Sequence, residues 1–228
     1  TVLRRLGVET TYYDPLIGAG IGDLIRPETR VVYMESPGSI TFEVQDVPAI
    51  TGTVRAASRD RARPIVTMID NTWASPLFFK PFRHGVDLSI QAATKYVVGH
   101  SDSMLGTVTC TKAMWQPLAA TTWTLGQCAG PDDLYLGQRG LRTIDVRLRR
   151  HWETGVRLAE WLAGRPEVKR VIHPALEGDA GHALWQRDFL GASGLFSIIV
   201  DPLPRPALAA FVDDLELFGM GASWGGYE

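Results

Sequence analysis

In the first hundred residues the apolar positions gather into three short runs, each closing on an ionisable residue. Val31-Val32-Tyr33-Met34 ends at Glu35, Ile65-Val66-Thr67-Met68-Ile69 ends at Asp70, and the run from Val86 to Thr94 ends at Lys95. Runs of this length, rich in β-branched residues and followed by turn formers, predict strands. Between the first two, Val44 to Ala57 has helical spacing, with Pro48 in its first turn, where a missing N–H is tolerated. Strands alternating with helices predict an α/β fold with a mainly parallel, helix-covered sheet.

Within the third run Val86, Leu88, Ile90 and Ala92 alternate with Asp87, Ser89, Gln91 and Ala93, which puts Lys95 on the more polar face. A short helix over Leu77 to His84 fits between Asp70 and this run. Gly106 to Cys110 supplies a following strand and Lys112 to Leu125 a helix. From Pro131 the pattern lengthens into one helical stretch, Asp132 to Leu162, whose length suits a bridge between two lobes. A boundary is therefore expected near Leu141, with 1–141 part of a large domain and 142–228 part of a smaller C-terminal α/β domain. Strands at Val168 to Ile172 and Leu195 to Val200, a helix at Pro206 to Leu217 and a strand-like segment near Met220 to Trp224 are expected there.

Composition narrows the function classes. With 23 basic residues against 25 acids and a net charge of −2, the chain has no electrostatic footprint for nucleic acid. The basic cluster from Arg139 to Arg150 lies along the long helix and reads as a solvated face. No apolar run spans a bilayer and no signal-peptide pattern opens the chain, so a cytoplasmic address without a membrane partner is expected. Cys110 and Cys128 lack metal-ligand pairing, and His84, His100, His151, His173 and His182 lack ligand spacing, so no metal is expected. In Gly18-Ala19-Gly20-Ile21-Gly22 the last glycine comes one position early for a dinucleotide loop. Trp115, Trp123, Trp152, Trp161 and Trp185 are expected in the core or at subunit contacts. The chain opens at Thr1 without a methionine and stops within an apparently structured segment, so a piece of a longer protein is expected.

Ligands of open parallel sheets bind beyond the carboxyl ends of the strands, which draws Asp70 and Lys95 toward one crevice. Taken singly, Lys95 reads as a solvated charge and Asp70 as a turn or helix cap. Together, an acid and an amine in one cleft suit pyridoxal phosphate: the lysine for a Schiff base with its aldehyde, the carboxylate to keep the pyridine nitrogen protonated. Thr94 lies beside them, where its hydroxyl can reach a phosphate.

The run Asp87-Leu88-Ser89-Ile90-Gln91-Ala92-Ala93-Thr94-Lys95-Tyr96-Val97-Val98-Gly99-His100-Ser101 resembles the cofactor-attachment segment of the trans-sulfuration enzymes, the pyridoxal-phosphate family of cysteine and methionine metabolism. The resemblance extends to Ile69-Asp70-Asn71-Thr72, Arg139-Gly140-Leu141-Arg142-Thr143, His173-Pro174, Ser193-Gly194-Leu195-Phe196-Ser197 and Ser223-Trp224-Gly225-Gly226-Tyr227-Glu228. It implies the aspartate-aminotransferase-like fold type I, with pyridoxal 5'-phosphate carried on Lys95, Asp70 at the pyridinium nitrogen and Thr94 on the phosphate. It also implies a homotetramer of dimers that share active sites. Two departures stand out: Ala92, where relatives often have serine, and Ser39-Ile40, where many have asparagine and proline.

The forms Glu35-Ser36-Pro37-Gly38-Ser39 and Ser223-Trp224 resemble the bacterial cystathionine β-lyase branch, whereas the γ branches usually carry leucine in the place of Trp224. That branch implies β-elimination of L-cystathionine to homocysteine, pyruvate and ammonia in methionine biosynthesis, with Ser223 and Trp224 bordering the substrate. A γ-lyase or γ-synthase activity is the alternative within the family, and a truncated non-catalytic homologue the alternative outside it. The family's ring-stacking tyrosine, phosphate-binding glycine turn and carboxylate-clamping arginine are assigned to no position of this chain.

Overall fold

The computed structural model describes residues 2–221 and 223–225. A helical turn α1 (Val2–Arg5) and a 3₁₀ segment (Gly18–Leu24) lead into a four-stranded sheet of order β1-β2-β3-β4. β1 (Val31–Glu35) pairs in parallel with β2 (Val66–Asp70), and their last residues, Glu35 and Asp70, stand opposite each other. β2 pairs in parallel with β3 (Leu88–Ala92), and β3 pairs antiparallel with β4 (Gly106–Cys110). The reversal follows from the connection, because residues 93–105 contain no helix to carry a parallel crossover.

The crossover from β1 to β2 is α2 (Val47–Ala57), whose Val47, Ile50 and Val54 are buried. Asp46 caps it, accepting the Ala49 N–H at 3.0 Å. After β2 the expected short helix is replaced by α3 (Ser75–Phe78) and a 3₁₀ turn (Pro81–His84) that opens on Pro81. Beyond β4 come α4 (Trp115–Thr124), α5 (Pro131–Leu141), α6 (Ile144–Ala163), β5 (Val168–Ile172), α7 (His182–Asp188), β6 (Ser197–Val200) and α8 (Arg205–Asp213). β5 and β6 form a second, antiparallel sheet.

One core cluster joins the two halves of the chain: Met34, Ile50, Ile69, Phe78 and Phe79 pack with Leu148, Ile172, Phe189 and Ala192. Phe79 stacks on Phe189 at 4.6 Å. Burial of a large apolar side chain contributes about 1.5–3 kcal/mol, against about 0–1 kcal/mol for an exposed ion pair. The aromatic seam, rather than the ion pairs, therefore holds the C-terminal half to the sheet. Trp152 and Trp185 join it edge-to-face, while Trp115, Trp123 and Trp161 are exposed.

Other sequence expectations change as well. The single helix from Asp132 to Leu162 is two helices, broken at Arg142 and Thr143. The break follows Gly140, where a Cβ would lie 2.2 Å from the Val97 carbonyl oxygen. β3 stops at Ala92, so Lys95 is reached through a turn and strand alternation does not set its face. The presumed polar face of β3 is buried at Ser89 and Gln91. Finally, α8 stops at Asp213, and no strand forms among the described residues near Met220 to Trp224; Ala222 lies outside them. No helix among the described residues is long and apolar enough to cross a membrane.

Candidate functional site

The last residues of the three parallel strands, Glu35, Asp70 and Ala92, line one cleft that opens to solvent. This is the carboxyl edge of the sheet, where open α/β folds bind ligands. Local hydrogen bonds shape each strand end. Asp70 Oδ1 accepts the Thr72 N–H at 2.8 Å, and the Thr72 hydroxyl accepts the Ala92 N–H at 2.9 Å. Past β1, the Ser39 hydroxyl donates to Glu35 Oε1 at 2.5 Å, Gln45 Nε2 donates to the Glu35 carbonyl, and Ser36 Oγ accepts the Gln45 N–H. The loop so folded puts Pro37, Gly38, Ser39 and Phe42 on the cleft wall, with Trp73, Leu195 and Trp224 across from them.

Lys95 enters from a turn. Its own N–H donates to the Ala92 carbonyl, Val98 N–H to Ala93, and Gly99 N–H to the Lys95 carbonyl at 2.8 Å. Gly99 then closes the turn at φ +76°, in the left-handed region that glycine adopts without strain. The Lys95 side chain is half-buried, its Nζ donates to the Ser223 hydroxyl, and the Trp224 ring lies 5.1 Å from the ammonium. Lys95 is not itself on the cleft wall; Trp224 touches both the amine and the cleft.

The structure thus brings Asp70, Trp224, Ser223 and Lys95 together, 128 residues separating the lysine from its serine. Thr94 lies apart. Its hydroxyl accepts the Leu105 N–H at 2.8 Å and donates to the Leu105 carbonyl at 3.2 Å, continuing the β3–β4 ladder by one side chain. Thr94 is absent from the cleft wall.

Sequence reasoning passed over Arg147. Within the basic stretch assigned to a solvated face, this guanidinium turns inward and donates to the carbonyls of Tyr96 and Gly140, at 2.8 Å each. Burial holds its pKa below the ordinary arginine value. The available signal was spacing: Gly140, Thr143, Arg147 and His151 recur at three- and four-residue intervals, one face of a helix.

Tyr33 has its phenol pushed up to about 12 by burial, then by the charges of Asp70 and Glu35. Burial also pushes Tyr96 up to about 12, so both phenols stay neutral at physiological pH. A carboxylate on the cleft wall, with an indole that meets both the cleft and the Lys95 amine, suits pyridoxal phosphate, which needs an anion at its ring nitrogen and a lysine at its aldehyde.

The chain was compared with known proteins. The model of the Cys/Met metabolism PLP-dependent enzyme family matches residues 1–228. Cystathionine beta-lyase MetC of Escherichia coli (strain K12) is 51% identical over 228 residues, all of this chain and 57% of that protein. Cystathionine beta-lyase of Salmonella typhimurium is 49% identical over the same shares of the two chains. Among solved structures, cystathionine gamma-lyase from Lactobacillus plantarum complexed with L-serine superposes with a TM-score of 0.91 at 26% identity, covering 99% of this chain and 57% of that one. The chain therefore spans a little over half the length of these relatives.

Proposed function

Because the chain belongs to the Cys/Met metabolism PLP-dependent enzyme family, whose cofactor is pyridoxal 5'-phosphate, we propose that the whole protein is a carbon–sulfur lyase acting by β-elimination on L-cystathionine. The observation that carries the reading is that Trp224, which meets the Lys95 amine, lines the same cleft as Asp70. The bound cofactor supplies an electron sink for charge developed at the substrate Cα.

Each protein group has a separate task. Asp70 would keep the ring nitrogen protonated, since a nearby carboxylate favours the cationic form. Lys95 would hold the cofactor, and its free Nζ would take the substrate's α-proton and deliver it to the departing sulfur. Ser223 aims that amine by accepting its hydrogen bond. Trp224 excludes water from the same corner and borders the substrate's distal arm. Thr94 is assigned to the phosphate, a role that requires its hydroxyl to leave Leu105.

The β-lyase relatives at 51% and 49% identity and the Trp224 side chain favour loss of homocysteine thiolate from Cβ. The γ-lyase fold neighbour keeps γ-elimination as the second reading. Product analysis of the complete protein with L-cystathionine separates them: pyruvate with homocysteine supports the first, 2-oxobutyrate with cysteine the second. Replacing Lys95 by Ala is expected to abolish both the cofactor's visible absorption and product release. Retention of either refutes the assignment of Lys95.

A further inference from the structure

We propose that Arg147 is the positioning residue for the cofactor lysine, a guanidinium fork on α6 that fixes the turn from which Lys95 projects. The proposal rests on the lyase reading above. Since β3 ends at Ala92, the sheet does not aim Lys95; the turn over residues 95–99 does. The buried Tyr96 ring anchors that turn in the core, and the Arg147 guanidinium ties its backbone carbonyls to α6. Arg147 Nη1 donates to the Tyr96 carbonyl at 2.8 Å, Nη2 to the Gly140 carbonyl at 2.8 Å and more weakly to Val97 at 3.4 Å, and Nε to the Thr143 hydroxyl at 3.0 Å. A planar fork can bridge acceptors on two segments at once, which a lysine ammonium does less well.

The backbone around the fork is cut to admit it. A Cβ at Gly99 would lie 2.2 Å from Arg147 Nη1, and one at Gly140 would lie 2.2 Å from the Val97 oxygen and 2.4 Å from that of Val98. The neighbouring Arg142, Arg149 and Arg150 are exposed, so inward packing belongs to Arg147 alone among the arginines of this break and the first turns of α6. On the opposite side, residues 223–225 close over the lysine: Ser223 engages Nζ, and a Cβ at Gly225 would lie 3.1 Å from Lys95 Cβ. Lys95 is thus held between the substrate-side segment and the Arg147 fork. An amine that must meet an α-proton tolerates little displacement: a misplacement of about 1 Å costs on the order of a hundredfold in rate.

The test uses the complete holoenzyme and the variants Arg147→Ala, Arg147→Lys and Thr143→Val. Arg147→Ala is expected to lower kcat for L-cystathionine by about tenfold to a hundredfold, to leave KM within about twofold because substrate contacts are not on this turn, and to alter the visible absorption band of the lysine-bound cofactor. Arg147→Lys should recover only part of the loss, and Thr143→Val, which removes the acceptor of Nε together with the hydroxyl's own bond to the Gly140 carbonyl, should show a smaller loss of the same kind. If Arg147→Ala does not fold, Thr143→Val decides. A lowered thermal midpoint with parental kcat and spectrum, in either variant, overturns the proposal. Peptide mapping after borohydride reduction of the parent separates this from the underlying reading. If the cofactor is on Lys95, the lyase reading stands whatever Arg147 does; if it is elsewhere, that reading fails first.

Discussion

Asp70 serves both the turn after β2 and the cleft, and the two uses can be separated. Its Oδ1 accepts the Thr72 N–H, while the carboxylate stands beside Glu35 at the ends of paired strands. Asparagine keeps an oxygen for the turn but removes the charge. Asp70→Asn in the complete protein is therefore expected to unfold within about 1 kcal/mol of the parent yet lose product release by on the order of a hundredfold, the scale of removing one preorganised electrostatic partner. Steady-state assay and urea unfolding of the same preparation check both halves; equal loss of stability and activity would make Asp70 a cap alone. The strand-end position of Asp70 was legible in the sequence because it closes a recognisable apolar run, whereas Lys95 lies in a turn three residues beyond β3. Arg147 was not legible, since a basic residue on an amphipathic helix reveals whether it turns inward only when the partner carbonyls are known. Its neighbouring glycines were the clue, as a helix interior rarely carries Gly without a close approach.

At the scale of elements, the sequence predicted which segments would be strands or helices better than where they would end. β1, β2 and β4 fall where the apolar runs put them, whereas β3 stops early because Lys95, Val98 and Gly99 donate backwards into a turn. The paired helices α5 and α6 read as one because periodicity continues across Arg142 and Thr143; only the packing of Gly140 on the lysine turn breaks them. α2 began three residues late, at the site of its cap. Asp46 both caps that helix and pairs with Arg187, whose Nη2 lies 2.8 Å from Oδ1. The Arg187 hydrogen bond holds the Asp46 carboxyl below its ordinary value. A depressed carboxylate stabilises the fold fully above the unfolded pKa of about 3.9, and that contribution is lost as pH falls through the folded value. Asp46→Ala is expected to cost about 0.5–2 kcal/mol at pH 7, and Asp46→Asn less, because it keeps the cap. Both deficits should shrink toward pH 3 in urea unfolding; a deficit independent of pH would exclude the charge as its cause.

For the whole molecule, the question is what joins the second sheet to the first, and His173 stands at that join. It follows β5, is fully buried, and meets Trp73 edge-on at 6.0 Å. Trp73 in turn lines the cleft and donates its Nε1–H to the Leu195 carbonyl at 3.2 Å. The ring of His173 is held as the neutral tautomer: Nδ1 accepts the Ala175 N–H at 3.0 Å and Nε2 faces the Ser193 carbonyl at 3.3 Å. Protonating Nδ1 would set two donors against each other, and burial lowers the His173 pKa accordingly, against smaller opposing contributions from Ser193 and Asp179. Below about pH 6.5 the unfolded chain binds a proton that the folded chain refuses. Stability therefore rises with pH across that range and falls on acidification, by up to about 1.4 kcal/mol per pH unit for one group. His151, lowered by burial and then by Arg147, adds a contribution of the same sign. His173→Asn keeps an acceptor for Ala175 but cannot titrate. Relative to the parent it is expected to be less stable at pH 7.5 and to lose less stability between pH 7.5 and 5.5, with a residual slope from His151. Urea midpoints of parent and variant at the two pH values measure this, and parallel slopes would show that His173 does not couple the two sheets to acid.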